Sequence, residues 1–140
     1  MSDRFFLDTN IFVYSATGDD PAKARTATGL IRSAISTHKG AVSYQVVQEF
    51  FNLALKRFQL RMSHVDREKY LARVFGPLLK VHSSLSLYEE ALRLHSSHKI
   101  QWFDALIVCA GREAGCSILY SEDLQNGQKF GELQVINPFL

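Results

Sequence analysis

Asp8, Glu49, Asp104 and Asp123 are carboxylates set into apolar surroundings, and their positions carry most of the chemistry this chain suggests. Asp8 directly follows the apolar run Phe5-Phe6-Leu7, and Glu49 interrupts the helical pattern Val46, Val47, Phe50, Leu53. Asp104 opens the hydrophobic segment Ala105-Leu106-Ile107, and Asp123 closes Ile118-Leu119-Tyr120-Ser121. Two like charges ~4 Å apart repel by about 4 kcal/mol at an effective dielectric near 20. Four acids gathered in one place therefore raise their pKa values or bind a cation. Oxygen-only donors suit Mg²⁺ or Mn²⁺, which keep several waters and accept phosphate oxygens. That is the equipment for metal-assisted phosphodiester hydrolysis, which needs neither a histidine base nor a serine nucleophile.

Each acid also has a local explanation. Asp8 suits an Asx-turn onto the amides that follow it, and Asp123 suits the loop leading to Gly127. Asp104 falls in the first turn of a helix, where the macrodipole favours a negative charge by ~0.3–1 kcal/mol. Glu49 is the hardest to explain locally, because a mid-helix position beside Phe50 desolvates part of it.

The elements that must position these side chains follow from periodicity and punctuation. Arg4 to Leu7 reads as a short buried strand. Asp20-Pro21 starts a helix, with Asp as N-cap and Pro at the first helical position, and apolar spacing carries it to about Thr37. Gly40 breaks the chain and Ala41 to Ser43 form a second strand. Tyr44 to Leu60 is helical, with Val46, Val47, Phe50, Leu53, Ala54 and Phe58 on one side. Ser63 is an N-cap for a helix running to about Phe75, ahead of Gly76-Pro77. Leu78 to His82 is a third strand, and Ser86-Leu87-Tyr88-Glu89 has the capping-box pattern for a helix ending near Ser97. Gln101 to Ala114 is a helix closed by Gly115, and Cys116 to Tyr120 and Leu133 to Ile136 are the last strands. Strands alternating with helices predict one α/β domain over residues 1–140, with a parallel sheet of about four or five short strands covered on both faces. Ligands of such sheets bind outside the carboxyl ends of the strands, where all four acids can converge.

With these residues in order, the chain resembles the PIN-domain ribonucleases, and among them the VapC-type toxins of toxin–antitoxin pairs. The resemblance rests on Leu7-Asp8-Thr9-Asn10, Gln48-Glu49-Phe50, Asp104-Ala105-Leu106-Ile107 and Ser121-Glu122-Asp123-Leu124, and it spans Arg4 to Pro138. It implies a three-layer α/β/α fold and a Mg²⁺- or Mn²⁺-dependent endoribonuclease acting as a toxin. Asp8 and Asp104 would be the principal metal ligands, and Asp123 would bind directly or through water. Glu49 would complete the cluster by orienting metal-bound water. Thr9, Asn10 and Ser121 match the family's small polar positions beside the acids, where they would meet the substrate. The adjacent Glu122 and Asp123 are told apart only by the motif. The resemblance further implies a small antitoxin partner that covers the acidic groove, and a homodimer. A PIN-like module that binds RNA or protein without cutting it is the rival reading.

Other features exclude more than they suggest. A chain of 140 residues with 46% hydrophobic content buries roughly 70% of its unfolded surface, ample for a core. No apolar run approaches the ~20 residues of a membrane span, and no leader pattern precedes the first strand, so a cytoplasmic, non-membrane protein is expected. Cys109 and Cys116 make no disulfide framework or zinc site. A net charge of +2 does not by itself argue for nucleic acid. Lys56, Arg57, Arg61, Arg67, Lys69 and Arg73 cluster centrally, as either a solvated helical face or a footprint for a polyanion. His95 and His98, three apart, have no third ligand of matching softness nearby. Asp8-Thr9-Asn10 lacks the second Asp that an aspartyl-phosphate phosphatase needs. Trp102 and Phe50-Phe51 are expected in the core or an interface.

Overall fold

The computed structural model describes residues 2–57 and 61–140. Its centre is a six-stranded sheet in the order β3-β2-β1-β4-β6-β5, built from β1 (Phe5–Leu7), β2 (Gly40–Ser43), β3 (Leu79–Val81), β4 (Ile118–Tyr120), β5 (Lys129–Phe130) and β6 (Leu133–Ile136). Every pairing is parallel except β5 with β6. The five expected strands are present, and the two-residue β5 adds a sixth as an antiparallel edge. The chain steps outward from β1 through β2 to β3 and then returns to the other side of β1 as β4. The order therefore reverses between β1 and β4, and a crevice opens there beyond the strand ends.

Helices cover both faces, giving the expected three-layer α/β/α arrangement. Helix α1 (Thr9–Thr17) packs against α2 (Pro21–Thr37), α3 (Tyr44–Lys56) follows β2 directly, and α6 (Leu85–His98) packs against α7 (Trp102–Glu113). Between α3 and β3, α4 (His64–Tyr70) passes through a wider π-helical turn at Leu71–Phe75 into the single turn α5 (Gly76–Leu78). Helix α7 is buried at every position from Ala105 to Gly111, which is why its sequence is apolar all round. A cluster of Phe12, Phe50, Tyr70 and Phe75 lies under α3, with Phe50 stacked 4.9 Å from Tyr70 and edge-on to Phe75 at 5.3 Å. This packing fixes the roll of α3 and so the face on which Glu49 stands. No helix among the described residues is long and apolar enough to cross a membrane.

The local signals were uneven. Asp20 caps α2 as expected, its carboxylate accepting from the Lys23 amide at 3.2 Å. Gly115 closes α7 at φ 73°, its N–H donating to the Arg112 carbonyl at 3.0 Å. Helix α2, however, is ended by His38 in the left-handed conformation, and Gly40 lies inside β2. A Cβ at Gly40 would lie 2.1 Å from the Ala34 Cβ, so the glycine lets α2 lie directly on the strand. The capping box expected at Ser86 is not formed. Ser84 caps α6 through the Leu87 amide, a start that buries Leu87, Ala91 and Leu94, and the true capping box joins Ser63 and Asp66. Helix α1 has no sequence signal, because apart from Ala16 its residues are middling helix formers. Burial of Ile11 and Phe12 carries it. The expected helical stretch through Phe58 to Leu60 lies outside the described residues. Among the central basic residues, Lys56, Arg57, Arg61, Lys69 and Arg73 are exposed, while Arg67 turns back to the Met62 carbonyl.

Candidate active site

Asp8 leaves β1 where the strand order reverses and serves as N-cap of α1. Its own N–H donates to the Tyr120 carbonyl at 3.1 Å, tying the ends of β1 and β4 together. Both carboxylate oxygens are engaged: Oδ1 accepts from the Thr9 N–H at 2.7 Å and Oδ2 from the Ser121 hydroxyl at 2.8 Å. The residue is only 6% exposed. Burial pushes its pKa up to about 7 against the two hydrogen bonds, and the charges of Asp123 and Glu49 add to the rise.

Glu49 stands mid-way along α3, half-buried. Its Oε1 accepts from the Thr9 hydroxyl at 2.9 Å and from Gln45 Nε2 at 3.4 Å, so both hydrogen bonds fall on one oxygen and Oε2 is left over. The same Gln45 amide donates to the Phe103 carbonyl at 3.1 Å, linking α3 to the start of α7. Asp104 lies in the first turn of α7, half-buried, and burial followed by the charges of Asp123 and Glu49 raises its pKa. Asp123 follows β4 and is largely exposed, yet partial burial of its carboxyl and then the Glu122 charge raise its pKa too. Its N–H donates to the Ser121 hydroxyl at 3.2 Å, which makes Ser121 a link between two acids.

These four carboxylates line one pocket of about 210 Å³, together with Thr9, Asn10, Gln45, Asn52 and apolar Leu53, Phe103 and Ile107. No Lys, Arg or His is among the described residues lining it. Glu49, Asp104 and Asp123 continue into a wider depression of about 730 Å³, bordered by Gln101, Gln125 and Gln128. An all-oxygen, anionic donor set without a cation fits a hard divalent ion. Among the described residues no three such side chains converge closely enough to grip an ion as they stand. An ion here would therefore keep part of its water shell, as Mg²⁺ commonly does. Asp8 can still contribute, since each carboxylate oxygen has a second lone pair.

Adjacent Glu122 is placed quite differently from Asp123. It accepts from Lys23 Nζ at 3.2 Å and Asn10 Nδ2 at 3.3 Å, and it takes a short contact from the Tyr14 hydroxyl. Its charge is neutralised away from the pocket, leaving Asp123 as the acid that faces it. Thr9 and Asn10 line the pocket. Ser121 is 1% exposed and lies beneath it, its hydroxyl committed to Asp8. Gln45 and Asn52 were not singled out in the sequence, although they stand four before and three after Glu49, a spacing that puts them on its helical face. Lys23 and Tyr14 carried no such signal, because their partner is a hundred residues away in the chain. His95 and His98 are exposed and engaged separately, with the Ile100 carbonyl and the Ser97 hydroxyl.

Compared with known proteins, residues 5–127 match the family model of the PIN domain. No curated protein sequence matches the chain. Among solved structures, the fold is similar to a toxin–antitoxin complex from Klebsiella pneumoniae, with a TM-score of 0.68 and 19% identity over 95% of this chain and 96% of that one. It is also similar to VapC20 of Mycobacterium tuberculosis, described as a sarcin-ricin loop cleaving toxin, with a TM-score of 0.61 and 22% identity over 84% and 88% of the two chains. FitAcB from Neisseria gonorrhoeae gives a TM-score of 0.61 and 14% identity over 96% and 98%.

Proposed function

The chain belongs to the PIN domain family, and from that membership we propose that it is a Mg²⁺- or Mn²⁺-dependent endoribonuclease acting as the toxin of a toxin–antitoxin pair. The observation that carries the proposal is the pocket at the reversal of strand order, which four carboxylates from separate elements line with no Lys, Arg or His among the described residues. Asp8 and Asp104 would hold the ion, with Asp123 joining directly or through water and Glu49 completing the set. When bound, the ion supplies positive charge that polarises the phosphodiester and makes water acidic enough to attack at neutral pH.

The chain's own groups supply orientation and proton transfer. Thr9 N–H and the Ser121 hydroxyl hold Asp8 in one orientation. Thr9 and Gln45 occupy Glu49 Oε1, so Oε2 is the oxygen available to take a proton from attacking water. Asn52 and Asn10 are among the residues lining the pocket where phosphate oxygens would rest. Similarity to a toxin–antitoxin complex supports a cognate antitoxin as partner, and the proposal extends, on the sequence resemblance alone, to a cytoplasmic homodimer.

The test is cleavage of RNA by the purified protein with and without added Mg²⁺ or Mn²⁺. Asp8→Asn and Asp104→Asn should each lose roughly 100-fold or more of the activity, with circular dichroism unchanged. If both variants cut like the parent, with a mock purification controlling for contaminating nuclease, the protein is a non-catalytic RNA- or protein-binding module.

A further inference from the structure

A second cavity, of about 200 Å³, adjoins the acid pocket and shares Gln45 and Phe103 with it. Its chemistry is of another kind. Its walls are Tyr44, His82, Tyr88, Trp102 and Phe103, and no Asp, Glu, Lys or Arg is among the described residues lining it. Tyr44 lies edge-on to His82 with centroids 4.3 Å apart, and Tyr88 tilts over Trp102 at 6.1 Å, so the walls are made of mutually braced rings. Phe103 is 60% exposed, a high value for an aromatic ring. It borders the acid pocket, this cavity and the wider depression alike, standing as the ridge between them.

One polar atom in the wall is unusual. Ser43 occupies the N-cap position of α3, where a serine hydroxyl ordinarily accepts from a helix amide, yet it makes no such bond. Ser43 is 4% exposed, and among the described residues its Oγ is the buried side-chain polar atom without a hydrogen-bond partner. Ser43 belongs to the lining of the cavity, and an unpaired hydroxyl there can turn about its side-chain torsion to meet a ligand atom.

We propose that this aromatic cavity is a nucleobase subsite, which seats one unpaired base of the RNA strand whose phosphate lies at the acids, with the Ser43 hydroxyl available to the edge of the base. The proposal rests on the ribonuclease reading above. A cavity lined by rings, with no Lys or Arg among the described residues, suits a base and not a phosphate. Its volume lies below the ~300 Å³ at which pockets for drug-sized ligands begin, which suits one ring system. Stacking on aromatic side chains accepts any base, because every base has a π-face, while a hydroxyl and the Gln45 and Gln48 amides can select among edges. The site therefore acts on single-stranded segments, since a paired base cannot enter.

Trp102 is the only tryptophan in the chain, so its fluorescence reports the cavity without reference to activity. Short single-stranded oligoribonucleotides are titrated into the Asp104→Asn protein with Mg²⁺ present. Saturable quenching is expected, and it should be lost when one position of the oligonucleotide is made abasic. Phe103→Ala in the same background should weaken binding about 5- to 150-fold, the range commanded by one stacked base, and Phe103→Tyr should restore it. Ser43→Ala should weaken binding about 2- to 10-fold while melting at the same or a higher temperature, which a structural role for the hydroxyl would not produce. Binding with no change in Trp102 emission, or binding indifferent to Phe103→Ala, overturns the proposal. A wild-type protein that cuts RNA while its tryptophan stays unresponsive keeps the ribonuclease reading and loses the base subsite. Quenching without any metal-dependent cleavage by wild type does the reverse.

Discussion

Replacing Asp8 by asparagine should stabilise the metal-free protein at mildly alkaline pH and leave it almost unchanged in acid. The folded chain holds the Asp8 carboxyl at about 7, against an ordinary value of 3.8. The charged form is thus disfavoured in the folded state by roughly 4 kcal/mol. With the residue only 6% exposed, solvent screening removes little of this. Between these two values the folded state binds more protons than the unfolded one, so stability falls as pH rises through that window. The loss is complete near pH 8, about 2 kcal/mol near pH 5, and absent well below 3.8. Asparagine removes the ionisation and keeps the architecture. It is an equally good N-cap, its carbonyl can accept from Thr9 N–H, and its amide can donate to the Ser121 hydroxyl. For a chain of 140 residues, 4 kcal/mol corresponds to a melting temperature higher by about 10–15 °C. The assay is thermal unfolding of parent and variant with a chelator, from about pH 5 to pH 8, followed by the same series with Mn²⁺. The variant's advantage should shrink steadily toward acid. With Mn²⁺ the parent alone should gain, by about 2.7 kcal/mol once the ion is at 100 times its Kd. An Asp8→Asn protein less stable than the parent near pH 8 would refute the reasoning and leave Asp8 as a capping residue.

Glu122→Gln should retain most RNA cleavage, whereas Asp123→Asn should lose roughly 10- to 100-fold. The pair of rate measurements checks that only one of these adjacent acids serves the pocket. Gly40→Ala should cost about 3 kcal/mol or more in denaturant unfolding, because its new Cβ would lie 2.1 Å from that of Ala34 and α2 must shift off the sheet. Burial pushes the thiols of Cys109 and Cys116 up to about 11 and about 12, so neither should react with iodoacetamide near neutral pH until the protein unfolds.

The architecture and the four acids were legible before any coordinates because they follow from local rules. Apolar periodicity announces α2, α3 and α7, alternation of strand and helix announces the parallel sheet, and a carboxylate at the edge of an apolar run is anomalous wherever it occurs. Asp20-Pro21 and Gly115 punctuate the chain by conformational preferences that need no tertiary partner. Even Gln45 and Asn52 were within reach, since their spacing from Glu49 puts them on one helical face.

The rest depended on contacts between residues far apart in the chain. Helix α1 forms because Ile11 and Phe12 find a core, against weak propensity. Gly40 looks like a chain break and is instead the point where α2 lies on β2. Above all, Glu122 and Asp123 are neighbours of the same charge, and nothing local separates them. Lys23, Asn10 and Tyr14 draw Glu122 to one side, while the Asp123 N–H rests on the hydroxyl that holds Asp8. Residue types in order determine which groups are available and roughly where the strands end. Which carboxylate is neutralised, which oxygen is left free and which cavity borders the acids are matters of three-dimensional pairing, because electrostatic and hydrogen-bond energies depend on distances that sequence separation does not encode.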